Sequence, residues 1–283
     1  MIEIKNKAGD VLFIVSAYTL AGADLREMDL IEANLPNADL CKTDFSHADL
    51  SYANLENAQL QQANLTGANL AHARLDGADL SNARLSDGTP SGGAIAYATE
   101  LRHAKLINVD ARYADLHQAD LSYANLTNAF FQHADLHRAN LKSAVLHGTM
   151  FIDAVMCECD LRFADLRGAY LNSANLMHAN LSNARLCGEG TYKSAVLTLA
   201  NLTRAQLVDA CLKQAVLQEA NLFHADCRNA DLSHALLGGA RLRNANVAGA
   251  NFIGVELGAV IMDFSNFSQA KNADIPQYKK NLR

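Results

Sequence analysis

Two groups of residues in this chain have types and spacing that could do chemistry. The first is a set of metal-ligand types at equal intervals: His117, His137 and Cys157 recur at every twentieth position, and Cys157 opens a Cys-x-Cys with Cys159. Imidazole and thiolate in such a set suit a transition metal such as zinc. The second is a series of carboxylates, in which Asp24 and Asp44, and likewise Asp29 and Asp49, are related by the same interval. Evenly presented carboxylates can build an acidic face for a basic partner. Other chemistry finds little support. There is no His-Glu-x-x-His, and GTPSGG over 88–93 lacks the Gly-Lys-Ser/Thr ending of a phosphate-binding loop. No Ser/His/Asp set is indicated by spacing. No catalytic residue and no cofactor is therefore expected.

What positions these residues is a five-residue rule. From Ala21 to Leu85 the chain reads AGADL REMDL IEANL PNADL CKTDF SHADL SYANL ENAQL QQANL TGANL AHARL DGADL SNARL. A large apolar residue, the centre, falls at every fifth position, with a small residue two places before it. The rule resumes over 102–186 and again over 193–267, for 45 units in all. Leu fills 35 of the 45 centres and Ala 37 of the 45 minus-two positions, so chance is excluded. The residue before the centre is usually Asp or Asn. A helix repeats its face every 3.6 residues and a strand every 2, so a period of five fits neither. It fits a chain that turns a corner once per unit, with two side chains inward and three outward. Leu fills the middle of each side, and only a small residue has room near the corner. Such coils stack at a strand-like spacing of about 4.8 Å, each touching only its neighbours, as in a solenoid.

These A(D/N)LXX tandems resemble the pentapeptide-repeat family, over roughly 235 of the 283 residues. The resemblance implies an all-β chain, a right-handed quadrilateral β-helix with four units per coil and about 11 coils. It implies little about activity, because that fold hosts many roles. With four units per coil, every twentieth residue stacks. Asp24 then lies under Asp44 and Asp29 under Asp49, while His117, His137 and Cys157 share one outward column. The preferred reading of the Asp columns is structural, since Asp and Asn often bond nearby turn backbone. The ten His are scattered through variable outward cells, which favours solvated positions over a metal site for His117, His137 and Cys157.

Composition agrees with a core of Leu and Ala. Half the residues are hydrophobic, yet only 6% are aromatic and there is no Trp. The net charge of −6 is uneven: residues 21–85 carry −6, 86–190 carry −3 and 191–283 carry +3. This sign distribution argues against direct nucleic-acid binding. The six Cys (41, 157, 159, 187, 211 and 227) show no disulfide framework, with Cys159 and Cys227 at inward positions, which points to a reducing, cytoplasmic location. No stretch approaches a membrane span.

The ends and interruptions complete the plan. Residues 1–20 read as a β-hairpin, Ile2/Ile4 and VLFIV flanking a turn at Asn6–Asp10, placed to cap the first coil. SDGTPSGGAIA and CGEGTYKSA break the rule, each with a one-residue shift of phase, which places loop excursions near 86–96 and 187–192, and SNARLSDGT resembles SNARLCGEGT. Loops on rigid scaffolds often carry function, so Asp87, Thr89 and Pro90 join Asp24, Asp29, Asp44 and Asp49 as partner-binding candidates. The last repeats cluster Phe252, Phe264 and Phe267, apolar surface to be covered by the tail 268–283 or by a second subunit in a homodimer. The basic tail residues Lys279, Lys280 and Arg283 read as a solubilising end.

Two functional readings follow. The first is a non-enzymatic scaffold for protein–protein interaction, since a core filled by Leu leaves no substrate cavity. The second rests on a loose resemblance to the Qnr- and MfpA-like branch of the family. That branch mimics DNA, engages DNA gyrase or topoisomerase IV, and forms dimers through the C-terminal end. The chain departs from it in length, in Leu rather than Phe centres, and in loop position. A metal-binding or enzymatic protein is the second alternative to the scaffold.

Overall fold

The repeat builds itself by satisfying backbone groups. In the computed structural model, which describes residues 1–279, each five-residue unit places its N–H groups in a fixed scheme, shown by the unit around Leu50. Leu50 N–H donates to the carbonyl of Asn69 in the next coil (2.7 Å), and Asp49 N–H donates to Met28 O in the previous one (2.9 Å). Tyr52 N–H reaches Ala71 O (2.9 Å), and Ala53 N–H closes the corner onto Leu50 O (3.1 Å). That leaves the N–H of Ser51, which Asp49 Oδ1 accepts at 2.9 Å. All five donors of the unit are thus paired, as nearly all buried backbone groups must be. The Asp or Asn before the centre is there for the fifth.

Contacts divide the chain into two compact units, 1–144 and 145–283. In the first, parallel bridges link every residue of a column to the one a coil later, as in Asp24↔Asp44, Asn34↔Asn54 and Asp115↔Asp135. The second repeats this register, as in Asp165↔Arg185, Val196↔Val216 and Asn201↔Asn221. In each unit the centres and minus-two residues point inward: Leu50, Leu121, Leu166 and Leu207 are fully buried, as are Ala63, Ala119, Ala164 and Ala205. Cys159 and Cys227 take such inward places as expected, and burial pushes the Cys227 thiol up to about 12. There is no α-helix among the described residues.

Each corner costs backbone strain. The residue two after the centre adopts a left-handed φ near +60°, from Glu27 (59°) to Phe264 (59°). Side chains tolerate this unequally; Gly, Asn, Asp and His bear it best, and β-branched residues worst. None of the non-glycine residues in this conformation is Val, Ile or Thr, and seven of the ten His occupy it (47, 72, 103, 133, 178, 224 and 234). The scattered histidines are therefore largely corner residues. Gln118 is exposed with φ 59°, so its substitution isolates the backbone effect. Gln118→Ile is expected to lower stability by about 1–2 kcal/mol and Gln118→Asn to leave it unchanged, both read from urea unfolding midpoints.

The terminal segments engage the coils through backbone and side-chain bonds. Strands β1 (Ile2–Lys5) and β2 (Val11–Val15) pair antiparallel. Asn34 N–H donates to Lys5 O at 2.7 Å, and Ile4 is fully buried. At the other end, Lys279 Nζ donates to Leu257 O (3.0 Å) and Val260 O (2.6 Å), and Tyr278 Oη to Gly258 O (3.0 Å). One coil earlier, the carbonyl equivalent to Val260 O is that of Ala240, which accepts from Ile261 N–H. The tail thus supplies side-chain donors where the next coil's backbone would stand, and burial lowers the pKa of the Lys279 ammonium. Of the three basic tail residues, Lys280 and Arg283 lie outside the described residues.

The interruptions are smaller than the broken pattern indicates. Asn69 pairs with Ile95 and Tyr170 with Val196, where the regular register would pair Asn69 with position 89 and Tyr170 with position 190. Each interruption therefore adds six residues to one corner. Both are closed alike, Ala94 N–H on Leu85 O (2.6 Å) and Ala195 N–H on Leu186 O (2.8 Å). The first loop therefore spans 86–93 and not 86–96. Ala96, 1% exposed, already occupies a centre, hidden from the Leu pattern because it is small.

Candidate functional site

The Asp columns are built on the corner scheme. Asp44 Oδ1 accepts from Ser46 N–H (3.0 Å), Ser46 Oγ (2.7 Å) and Asn64 Nδ2 (2.9 Å). Asp49 Oδ1 accepts from Ser51 N–H (2.9 Å) and Asn69 Nδ2 (3.1 Å), and Asp29 Oδ1 from Ile31 N–H (3.3 Å). Each stacked Asp pair is followed by an Asn in the next coil, Asn64 or Asn69, a neutral donor to the second carboxylate. Asp24 is clamped by Arg26 through Nε (2.8 Å) and Nη2 (2.6 Å), and those bonds hold its carboxyl down at about 2. The four carboxylates are thus turn acceptors first, which leaves the second oxygens of Asp44 and Asp49 outside these bonds.

The first loop carries the other three candidates together. Asp87, Thr89 and Pro90 are exposed. Asp87 Oδ1 accepts from Thr89 N–H (2.8 Å) and Oγ1 (2.7 Å), which holds its carboxyl below the usual range. Gly92 lies against the Asp87 carboxylate, and a Cβ on Gly93 would stand 2.2 Å from Tyr113 O. The loop is folded onto the coil wall by its own glycines.

The metal-ligand types are placed otherwise engaged. His117 Nδ1 lies 2.5 Å from Asp115 Oδ1, and its ring stacks on Tyr97 at 4.2 Å. Asp135 Oδ1 accepts His137 N–H at 2.8 Å. Cys157, in the second unit, is 8% exposed with Sγ 3.7 Å from Asn175 O. Among the described residues no group of three or more His, Cys, Asp or Glu could hold a metal ion.

The second loop, 187–194, carries a cluster that reasoning from the sequence missed. Asp165 is held by Arg167 through Nε (2.8 Å) and Nη2 (2.6 Å), and its Oδ2 lies 3.0 Å from His147 Nε2. Glu189 of the loop pairs with Arg167 (3.2 Å) and with Arg185. Tyr192 covers the group, its ring 4.1 Å from His147 and 5.2 Å from the Arg167 guanidinium carbon. Burial works against the Asp165 charge, but its Arg167 and His147 partners outweigh it and the pKa falls. Beside this group Cys187 and Cys211 form a disulfide with Cα atoms 5.5 Å apart. This corrects the expectation that no cysteines pair. Their separation of 24 matches no multiple of five, and only the six-residue enlargement of the corner brings Cys187 beside the column Arg185–Cys211. Cys41 and Cys227 are free thiols.

Coils of five-residue units with no α-helix among the described residues, interrupted by two enlarged corner loops, define a repeat scaffold. The chain belongs to the pentapeptide-repeat family: the family model for pentapeptide repeats matches in eight copies over 19–56, 48–87, 99–138, 119–156, 158–188, 194–219, 200–239 and 235–271. Among solved structures it is similar to HetL, a pentapeptide repeat protein involved in heterocyst differentiation regulation from the cyanobacterium Nostoc sp. strain PCC 7120. Identity is 30% over 87% of this chain and 92% of that one, with a TM-score of 0.28. Full-length QnrB1, a plasmid-mediated fluoroquinolone resistance protein, is 17% identical over 77% of this chain and 87% of its own, TM-score 0.25. A pentapeptide repeat protein of the Arabidopsis thaliana thylakoid lumen is 26% identical over 32% of this chain and 60% of its own, TM-score 0.30. No curated protein matches the chain. Among the described residues, no helix is long and apolar enough to cross a membrane.

Proposed function

We propose that this protein is a non-enzymatic scaffold that binds another protein through its outer surface. The observation that carries the reading is the filled interior: centres and minus-two residues such as Leu50, Leu121, Leu207, Ala63 and Ala205 are fully buried. Recognition is thereby left to outward cells and loops. In this reading the coils are right-handed and total about 11, and the hairpin within 1–20 and the tail 268–283 cap them. Asp24, Asp29, Asp44, Asp49, Asp87, Thr89 and Pro90 form the contact surface, and the protein is cytoplasmic. The closing coil around Phe252 and Phe267, whose rings pack at 5.2 Å, serves as the homodimer contact. Neither nucleic acid nor membrane is a partner.

The stacked carboxylates of Asp24/Asp44 and Asp29/Asp49 favour a basic protein partner, and they support the second reading. There the acidic face stands in for DNA on a type II topoisomerase, DNA gyrase or topoisomerase IV. A supercoiling assay with and without a fluoroquinolone tests it. Protection or inhibition at stoichiometric protein supports mimicry, and no effect in excess leaves the general scaffold alone. The scaffold reading is tested by a pull-down that compares the intact chain with one lacking 87–92, six residues whose removal restores the regular corner. A specific partner retained only by the intact chain supports the loop's part in it, while turnover abolished by a single substitution overturns the non-enzymatic reading.

A further inference from the structure

The two enlarged corners offer an internal comparison. Both add six residues and both close with an Ala N–H on a Leu carbonyl. At the first residue of the loop, one has Ser86, fully buried with Oγ accepting Gly88 N–H at 2.9 Å, and the other has Cys187. In the adjoining coil, Asp110 pairs with Arg84 where Cys211 pairs with Arg185. Both partners of the crosslink are therefore present at one loop and both are replaced at the other. The first loop is built without a covalent tie, so the tie in the second adds a property that loop construction does not require.

We propose that Cys187 and Cys211 form a thiol–disulfide exchange site whose oxidised state fastens the 187–194 loop and whose reduction by a dithiol releases it. The reactants are accessible: both cysteines are partly exposed. A reductant thiolate attacks one sulfur, a mixed disulfide forms, and the other cysteine leaves as a thiolate that takes up a proton. The reductant's second thiol then attacks the mixed disulfide, so two electrons pass to the protein and the reductant ends as its own disulfide. The two cysteines differ in anchorage. Cys211 is fixed in the wall, its N–H on Ala184 O (3.0 Å) and its carbonyl accepting Leu186 N–H (2.8 Å). Cys187 opens a segment with glycines at 188 and 190.

After reduction the loop keeps only weaker ties. Glu189 and Arg185 have side chains 64% and 45% exposed, and ion pairs at such exposure hold little against water and salt. Glu189 on Arg167 (3.2 Å), Tyr192 against His147, and Ser194 Oγ on Lys213 O (3.0 Å) remain. The loop walls a cleft of about 480 Å³ lined by Tyr192, Lys193, Val196, Gln214 and Val216. Release opens that cleft and frees the Arg167 and Arg185 groups that Glu189 engages.

Amide hydrogen exchange on the full chain tests this, after equilibration with glutathione disulfide or with dithiothreitol. Exchange over 188–194 is expected to quicken at least tenfold on reduction, with 87–93 unchanged as the internal control. Cys187→Ser and Cys211→Ser, made singly, should each show the fast rate under both conditions. Alkylation of the denatured protein should find two fewer thiols after oxidation than after reduction, the missing two being Cys187 and Cys211. Cys187 and Cys211 alkylated equally after oxidation and after reduction, or equal exchange over 188–194 in both states, overturns the proposal.

Discussion

Leu121→Ala is expected to destabilise the first unit by about 3–5 kcal/mol, in the upper part of the range for buried Leu truncations. The reason is that the cavity has nothing to collapse it. Leu121 is fully buried, and the centres one coil before and one coil after it are Leu101 and Leu141, both buried as well. The coil wall cannot move inward, because Leu121 N–H is bonded to Asn140 O at 2.7 Å and the flanking Asp120 N–H to Thr99 O at 2.9 Å. A globular core can shift a helix to fill a void, but a wall pinned to the coils on both sides cannot. The converse change, Ala119→Leu, meets the same wall from the crowded corner and is expected to cost about 1–3 kcal/mol. Urea unfolding followed by far-ultraviolet circular dichroism measures both. A loss under about 1 kcal/mol for Leu121→Ala would show that the coils relax independently and that the spine is not close-packed. In a solenoid each coil depends on its neighbours, so the variant is also expected to broaden the transition.

The second large effect falls on the loop that holds Asp87, Thr89 and Pro90. Gly93→Ala places a Cβ 2.2 Å from Tyr113 O and 2.6 Å from its carbonyl carbon. Both are backbone atoms of the next coil, fixed by Tyr113 N–H on Gln132 O (3.1 Å) and Ala114 N–H on Ala111 O (3.2 Å). The wall does not yield, so the loop must lift, at a cost of about 2–3 kcal/mol typical of overpacking a tight site. Gly92→Ala is the informative contrast. Its Cβ would meet the Asp87 carboxylate at 1.9 Å, and that exposed side chain can swing away once it gives up the two Thr89 bonds. A cost of about 1 kcal/mol, two exposed bonds at the low end of about 0.5 kcal/mol each, is expected there. If Gly93→Ala proves as mild as Gly92→Ala, the loop is not seated on the coil wall. If it is costly, it also displaces the three candidate residues without touching the core, a direct probe of their part in partner binding.

Much of this architecture was legible because the interior is one-dimensional. The spacing of Leu50, Leu55 and Leu60, with Ala two places before each, states which atoms face inward with no knowledge of the fold. The purpose of the Asp and Asn residues was half legible. A bond to turn backbone was expected, but the reason they recur appears only when the five N–H groups of a unit are counted and one, such as that of Ser51, needs Asp49. The histidines illustrate the reverse. Read as chemistry, the column of His117, His137 and Cys157 invites a metal site; read as backbone, seven of the ten His mark left-handed corners that β-branched residues avoid.

The sequence alone determined the family, the period, the inward set and the places where the period fails, because each is a local property repeated many times over. Only the tertiary structure decided that Ala96 is a centre, that Cys187 meets Cys211, and that His147, Asp165, Arg167 and Glu189 gather under Tyr192. Those depend on how many residues an enlarged corner loops out, which sets the neighbours of every later residue. A spacing of 24 carries no meaning until the loop's length is known, because contact follows register between coils and not distance along the chain.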